Sequence, residues 1–174
     1  MNLLQDQHIL ILGLGDSGLA MLRWCLLQGA RVTVVDTRAQ PPGRATLQAE
    51  KLPAQFVHSG FDEALVQGTD VRAVFKSPGL SPAEVAPVWN AAQARGLWCG
   101  TELSLFAHAL EHLKNSEAAY QPKVLAITGT NGKTTVTRLT GLLVERAGLS
   151  VAVAGNIGPS LLDTLIQRMD NLPQ

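Results

Sequence analysis

The sequence has 174 residues, of which 46% are hydrophobic and 16% are charged. This length suits one ordinary domain, or one small domain and part of another, and the composition argues against a disordered chain. Fourteen Lys and Arg residues balance fourteen Asp and Glu residues, so no net charge attracts nucleic acid or an acidic membrane surface.

The N-terminal residues carry no basic leader or cleavage site, and no apolar run approaches the roughly 20 residues that span a bilayer. The only two cysteines, Cys25 and Cys99, lack the density and spacing of a disulfide scaffold or a zinc site. We therefore expect a cytoplasmic protein with reduced thiols, no membrane insertion and no nucleic-acid partner.

The first part of the chain alternates predicted strands with predicted helices. The apolar run at 8–12 predicts a strand buried on both faces, and residues 17–28 have helical spacing. Further segments predict strands at 31–35, 55–58, 73–76 and 97–99, and helices at 82–95 and 102–113. This alternation predicts an α/β fold with a doubly wound, Rossmann-like parallel sheet.

A second α/β region follows a polar stretch at 114–122, which predicts a linker. Beyond it, the pattern predicts a strand at 124–128, a helix at 134–147 and a strand at 151–154. We expect one domain at 1–113 and the beginning of a nucleotide-binding P-loop domain at 123–174, which is too short to cover both faces of a sheet.

The segment GTNGKTT at 129–135 lies between a predicted strand and a predicted helix, as a phosphate-binding loop does. Its glycines allow backbone amides to converge on phosphate oxygens, and the helix adds the positive end of its dipole. The residues expected to bind the nucleotide are Gly129, Thr130, Asn131, Gly132, Lys133, Thr134 and Thr135.

Within this loop, Lys133 is expected to reach the terminal phosphates, and the Thr134 hydroxyl to coordinate Mg²⁺. The spacing departs from the general GxxxxGK[ST] pattern, because Ile127 and Thr128 stand where a first glycine is needed. A simple glycine turn that caps the helix, with a solvated Lys133, therefore stays open as the alternative.

The string TGTNGKTT after an apolar strand resembles the ATP site of the Mur ligase and folylpolyglutamate synthetase superfamily. Members of that superfamily use ATP to phosphorylate a carboxylate, and an amino group then attacks the acyl phosphate to form an amide. The resemblance implies ATP and Mg²⁺ as cofactors and Lys133 as a catalytic residue that neutralises charge.

A first glycine cluster, GLGDSG at 13–18, fits the GxGxxG dinucleotide-binding pattern, and Asp36 follows the next strand about twenty residues later. Alone, this pattern predicts an NAD enzyme. Ser17 is placed to cap the helix or to bind a phosphate. The alternative is that the glycines only permit a tight turn and close helix packing.

Three strings together resemble the D-glutamate-adding branch of the Mur ligase family: GLGDSG at 13–18, DTR at 36–38 and SPG at 77–79. In that branch the Rossmann-like domain binds the UDP of UDP-N-acetylmuramoyl-L-alanine. The resemblance implies that Asp16 and Ser17 meet the diphosphate. It also implies that the uracil side and the crevice wall are formed by Asp36, Thr37, Arg38, Ser77, Pro78 and Gly79.

The string GNIG at 155–158 extends the resemblance and implies that Asn156 contacts the muramoyl substrate. The implied activity is addition of D-glutamate by a ligase that is monomeric when complete. The chain lacks the family's downstream Mg²⁺-binding acid, its carbamylated lysine and its C-terminal domain, so we expect binding without turnover. Another Mur-type ligase, an NAD(P)-dependent oxidoreductase and a non-catalytic nucleotide-binding regulator remain alternatives.

Overall fold

The computed structural model describes residues 4–116 and 119–170. The chain forms two compact units, Met1–Ala107 and His108–Gln174. The predicted linker at 114–122 lies just beyond this division, and the domain bounds given by the sequence stay a prediction.

The first unit contains a five-stranded parallel sheet with the order β3-β2-β1-β4-β5. Its strands are β1 (His8–Leu12), β2 (Arg31–Asp36), β3 (Ala54–His58), β4 (Val71–Lys76) and β5 (Trp98–Gly100). All five strands predicted for this region are confirmed, with ends that differ by at most two residues.

Four helices connect or follow these strands: α1 (Asp16–Leu27), α2 (Arg44–Ala49), α3 (Pro82–Ala94) and α4 (Glu102–Lys114). The start of α3 is strongly specified, because Ser81 and Glu84 form a reciprocal capping box and Pro82 follows the cap. The short helix α2 and a 3₁₀ turn at Glu63–Leu65 were not predicted, since neither is long enough to show a helical period.

The sheet is wound in two directions from its centre. From β1 the chain proceeds outward to β2 and β3, and from β4 it proceeds outward to β5. Because parallel crossovers are right-handed, α1 and α3 cover opposite faces of the sheet. The strand order therefore reverses between β1 and β4, and open α/β sheets bind ligands at the carboxyl edge of such a reversal.

The core of the α3 face consists of tightly packed aliphatic side chains. Leu10, Leu12 and Val74 of the sheet belong to one buried cluster with Val85 and Val88 of α3. At the β4–β5 edge, the rings of Phe75 and Trp98 meet edge to face, with their centroids 4.9 Å apart. These contacts fix the positions of the strand ends that form the crevice.

The second unit contains the helices α5 (Lys133–Arg146) and α6 (Leu161–Met169). The prediction of strands at 124–128 and 151–154 is wrong for this structure, which assigns no ladder to either segment. An apolar run indicates a tendency to be buried, but a strand also needs a hydrogen-bonding neighbour. The carbonyl of Val151 instead accepts a hydrogen bond from Arg168 at 2.7 Å.

The second unit buries far less apolar surface than the first. Its side chains that are at least half exposed include Val124, Leu125, Val136, Leu139, Leu142, Leu143 and Leu149. Among the described residues of α5 only Gly141 is buried. Hydrophobic stabilisation of the chain is therefore concentrated in the first unit.

Within 4–116 and 119–170, no helix combines the length and the apolar character that crossing a bilayer requires.

A cluster of ionisable side chains ties three strands together at the edge opposite the crevice. His8 Nδ1 lies 2.5 Å from Asp70 Oδ1, and His8 Nε2 lies 2.8 Å from the Thr33 hydroxyl. Arg31 also donates to the Asp70 carboxylate. The hydrogen bonds from His8 and then from Arg31 lower the pKa of Asp70 from 3.8 to about 2.

A carboxyl group with a lowered pKa in the folded state stabilises the fold above its ordinary pKa, and this contribution disappears as the pH falls through the lowered value. We therefore expect Asp70→Asn to lower the melting temperature by a few degrees at pH 7. The deficit should shrink between pH 4 and pH 2. Thermal melts of both proteins across this range test the expectation.

The matched control is Glu63→Gln, because Glu63 is an exposed acid in the same unit that makes no ion pair among the described residues. It should melt like the wild type throughout. A deficit of Asp70→Asn that stays constant down to pH 2 would contradict the role of the ionised carboxylate.

Candidate functional site

Three loops meet at the carboxyl edge of the sheet, where the strand order reverses. Leu12 at the end of β1 pairs with Val35 of β2 on one side and with Lys76 of β4 on the other. Beyond the strands, the Gly13 amide donates to the Val35 carbonyl at 2.8 Å, and the Ser77 amide donates to the Leu12 carbonyl at 2.9 Å. The three strings singled out in the sequence therefore begin side by side.

The Asp36 carboxylate links two of these loops. Its side chain is only 2% exposed, and its Oδ2 accepts a hydrogen bond from the Leu14 amide at 2.8 Å. Arg38 donates from its amide and its Nε to Oδ1, at 2.9 and 2.8 Å, and from Nη2 to Oδ2, at 2.8 Å. Each carboxylate oxygen thus has two donors.

These hydrogen bonds decide the charge of Asp36. Burial would raise its pKa, but the hydrogen bonds from the Arg38 side chain and from the Leu14 and Arg38 amides outweigh that effect. They lower the pKa of Asp36 from 3.8 to about 2, so the carboxylate is ionised at neutral pH. The same contact raises the pKa of Arg38, whose side chain is 53% exposed and thus accessible to a ligand.

The loop after β4 contacts the glycine loop directly. The Ser77 hydroxyl donates to the carbonyl of Gly13 at 3.0 Å. The Leu80 amide donates to the Ser77 carbonyl at 3.2 Å, and Lys76 Nζ donates to the Leu80 carbonyl at 3.0 Å. Residues 77–80 therefore form a closed turn, called here the SPGL turn, that lies against the glycine loop.

Gly18 allows α1 to approach the glycine loop closely. A Cβ atom at Gly18 would overlap the carbonyl oxygen of Gly13, whereas a Cβ at Gly15 would meet no heavy atom within 4 Å. Gly15 is also the N-cap of α1 and provides no side-chain cap. The expectation that Ser17 caps the helix is therefore wrong, because the helix begins before it and Ser17 lies in the first turn.

Gly43 also contacts the glycine loop, although no motif in the sequence singled it out. Its amide donates to the Leu14 carbonyl at 2.9 Å, and a Cβ there would lie 2.9 Å from the Leu19 side chain. The only signal in the sequence is a Pro-Pro-Gly string, which is ordinary turn chemistry. The contact depends on how the loop after β2 folds back, which local pattern does not reveal.

The predicted substrate residues of the first unit fall into two groups. Asp36 and Ser77 form hydrogen bonds within the protein, and both bind the glycine loop. Ser17 is half-buried, and the remaining predicted residues are exposed at the same edge: Asp16, Thr37, Arg38, Pro78 and Gly79. The structure thus brings all three strings together, with an inner supporting set and an outer accessible set.

The predicted phosphate loop lies in the second unit and is exposed throughout. Gly129 and Gly132 have φ angles of 149° and 74°, which residues with a Cβ atom rarely adopt. Gly132 is the N-cap of α5 and provides no side-chain cap, so the first amides of the helix have no intrahelical partner. Lys133 Nζ donates to the carbonyls of Gly129 and Thr130, which places the ammonium over the loop.

The GNIG string of this unit forms a closed loop around Asn156. The Gly155 amide donates to the Pro159 carbonyl at 2.8 Å, and the Gly158 amide donates to the Gly155 carbonyl at 2.9 Å. Asn156 is exposed on this closed loop. In the described part of the chain, no three His, Cys, Asp or Glu side chains cluster as metal ligands would.

Residues 7–99 match the family model of the Mur ligase MurD-like N-terminal domain. This match covers more than half of the chain and includes all three loops of the crevice.

Curated relatives carry the name UDP-N-acetylmuramoylalanine–D-glutamate ligase. The protein of Albidiferax ferrireducens is 68% identical over 97% of this chain, and that of Cupriavidus pinatubonensis is 57% identical over 93%. The chain spans about a third of their length, 33% and 32% respectively. Among solved structures, a UDP-N-acetylmuramate:L-alanyl-γ-D-glutamyl-meso-diaminopimelate ligase from Neisseria is similar over 82% of this chain and 40% of its own, with 24% identity and a TM-score of 0.46.

The close approach of α1 to the glycine loop predicts unequal effects of adding a methyl group to two glycines. Gly18→Ala should lower the melting temperature by about 10 °C or more, because the overlap with the Gly13 carbonyl forces the backbone to move. Gly60→Ala is the matched control, since no heavy atom lies within 4 Å of its added Cβ. It should change the melting temperature by no more than about 2 °C. Equal melting of the two variants would rule out the close approach.

Proposed function

Because the chain belongs to the MurD-like family of Mur ligases, we propose that it is part of an ATP-dependent ligase that adds D-glutamate to UDP-N-acetylmuramoyl-L-alanine. The reaction would serve peptidoglycan precursor synthesis in the cytoplasm, and the complete enzyme would act as a monomer. The observation that carries this proposal is the convergence of three loops at the strand-order reversal, in a chain 68% identical to a protein named for this activity.

The first unit would bind the uridine diphosphate of the substrate. The glycine loop ends at the N-terminus of α1, where backbone amides and the helix dipole favour phosphate oxygens. Asp16 and Ser17 lie in this first turn and would face the diphosphate. Thr37 and Arg38 would contact the uracil side.

Asp36 and Ser77 would act mainly by holding this crevice in shape, since their side-chain oxygens bond to the glycine loop and to Arg38. Pro78 and Gly79 lie exposed beyond Ser77 and would form the opposite wall. Asn156 in the second unit would contact the muramoyl part of the substrate.

The second unit would bind ATP. The features that fit a nucleotide are the uncapped N-terminus of α5, two glycines with positive φ, and a lysine ammonium over the loop. Residues 129–135 would surround the phosphates, and the Thr134 hydroxyl would be a ligand of Mg²⁺. When bound, the metal ion would neutralise phosphate charge.

Lys133 would contribute positioned positive charge as the γ-phosphoryl group passes to the alanyl carboxylate, which a loose transition state mainly requires. The amine of D-glutamate would then displace phosphate from the activated carboxyl group and form the amide. The relatives are three times as long as this chain, so we assign turnover to a protein of their length and binding to the residues described here.

The GxGxxG pattern alone would also suit an NAD enzyme, but the geometry of Asp36 argues against one. In a dinucleotide site the acid after the second strand accepts hydrogen bonds from ribose hydroxyls. Here both oxygens of Asp36 already have two donors each, and Arg38 accounts for three of the four. A ribose would have to displace Arg38 from an ionised, buried carboxylate.

Ligand-dependent melting tests the first half of the proposal. UDP should raise the melting temperature of the chain and NADH should not, because a ligand that binds only the native state stabilises it by mass action. In calorimetric titrations, Arg38→Ala should weaken UDP binding. Stabilisation by NADH but not by UDP would reject the ligase assignment, and an unchanged dissociation constant for Arg38→Ala would remove Arg38 from the site.

The second half of the proposal is tested in a protein of the relatives' full length. Lys133→Ala and Lys133→Met should both reduce ATP-dependent amide formation by several powers of ten, because the ammonium acts through its charge. Lys123→Met, which removes an exposed lysine of the same unit, should leave turnover unchanged. Near-normal turnover by Lys133→Ala would make the loop a helix cap.

A further inference from the structure

Lys76 lies at the edge of the crevice, and its ammonium makes no ion pair with a described carboxylate. It is the last residue of β4, half-buried, and it pairs with Leu12 at the reversal of strand order. In the described part of the chain no carboxylate pairs with its ammonium, and its one hydrogen bond goes to a neutral carbonyl, that of Leu80. Partial burial of a cation costs desolvation free energy that one neutral acceptor repays poorly.

The hydrogen bond of Lys76 connects it to the glycine loop through the SPGL turn. Two hydrogen bonds close the SPGL turn. Lys76 Nζ donates to the Leu80 carbonyl, and the Leu80 amide donates to the Ser77 carbonyl. From this turn, the Ser77 hydroxyl holds the Gly13 carbonyl. The Leu80 side chain also lies against Gly13, 3.2 Å from where a Cβ of Gly13 would be.

We propose that Lys76 is a positioning residue for nucleotide binding, which acts by fixing the SPGL turn and, through that turn, the glycine loop. This inference rests on the proposed function of the first unit as a binding site for a uridine diphosphate. Lys76 belongs to none of the strings that revealed the site, because it lies inside the strand, one residue before the SPG string.

The role predicts a loss of affinity that exceeds the loss of stability. Lys76→Met keeps most of the apolar stem and removes the ammonium. It should raise the dissociation constant for UDP about tenfold, the effect expected for losing a charge-assisted hydrogen bond that orders the site. The melting temperature without ligand should change by no more than a few degrees.

Two further variants define the comparison. Lys76→Arg keeps a cationic donor and should restore the affinity for UDP to within about threefold of the wild type. Arg72→Met is the matched control, because Arg72 is an exposed cation on the same strand at the opposite edge of the sheet. It should bind UDP like the wild type.

A double-mutant cycle separates action through the turn from direct contact with the ligand. If Lys76 acts through the SPGL turn, Ser77→Ala should add little to the effect of Lys76→Met, since both break the same connection. Independent, additive losses would mean that Lys76 does not act through the Ser77 connection, and would overturn the positioning role.

The experiment is calorimetric titration of the 174-residue chain with UDP, supported by melts without ligand. Wild-type affinity in Lys76→Met overturns the inference and leaves the proposed function intact. Absence of UDP binding by the wild type overturns the proposed function itself. If Lys76→Met does not fold, Lys76→Gln replaces it, and wild-type affinity of Lys76→Gln for UDP would overturn the inference in the same way.

Discussion

The ionised, buried carboxylate of Asp36 is the constraint on which the crevice depends. A buried charge is costly unless donors surround it, and the donors available here come from the glycine loop and from Arg38. Satisfying the carboxylate therefore orders both loops before any ligand arrives. Because ordering a loop upon binding costs free energy, this arrangement favours affinity for a ligand that fits it.

The remaining contacts connect the loops that follow β2, β1 and β4. Gly18 lets α1 reach the Gly13 carbonyl, and the Ser77 hydroxyl donates to the same carbonyl. One short loop is thus held by a helix, by the Asp36 carboxylate and by the SPGL turn. Asp36 and Ser77, which the sequence predicted to contact the substrate, form hydrogen bonds within the protein.

The proposed ligand sites of the two units are held in place by different kinds of contact. The crevice of the first unit rests on β1, β2 and β4, where most side chains are buried. The predicted phosphate loop of the second unit is exposed, and its conformation rests on local features: two glycines with positive φ and a lysine that bonds back to the loop. The conformation of such a loop is determined by its own residues, and the rest of the chain contributes little to its stability.

The sequence alone determined the five strands of the first unit, the main helices, and the three strings at the strand ends. These follow from the period of apolar residues and from glycine and proline chemistry, which act over a few neighbouring positions. The same local logic failed for the strands of the second unit, since a strand also needs a partner. Only the tertiary structure decided that the Asp36 carboxylate accepts a hydrogen bond from the glycine loop, that Gly43 contacts the same loop, and that the Ser77 hydroxyl donates to Gly13. Each of these depends on contacts between residues far apart in the chain, whose geometry no local pattern contains.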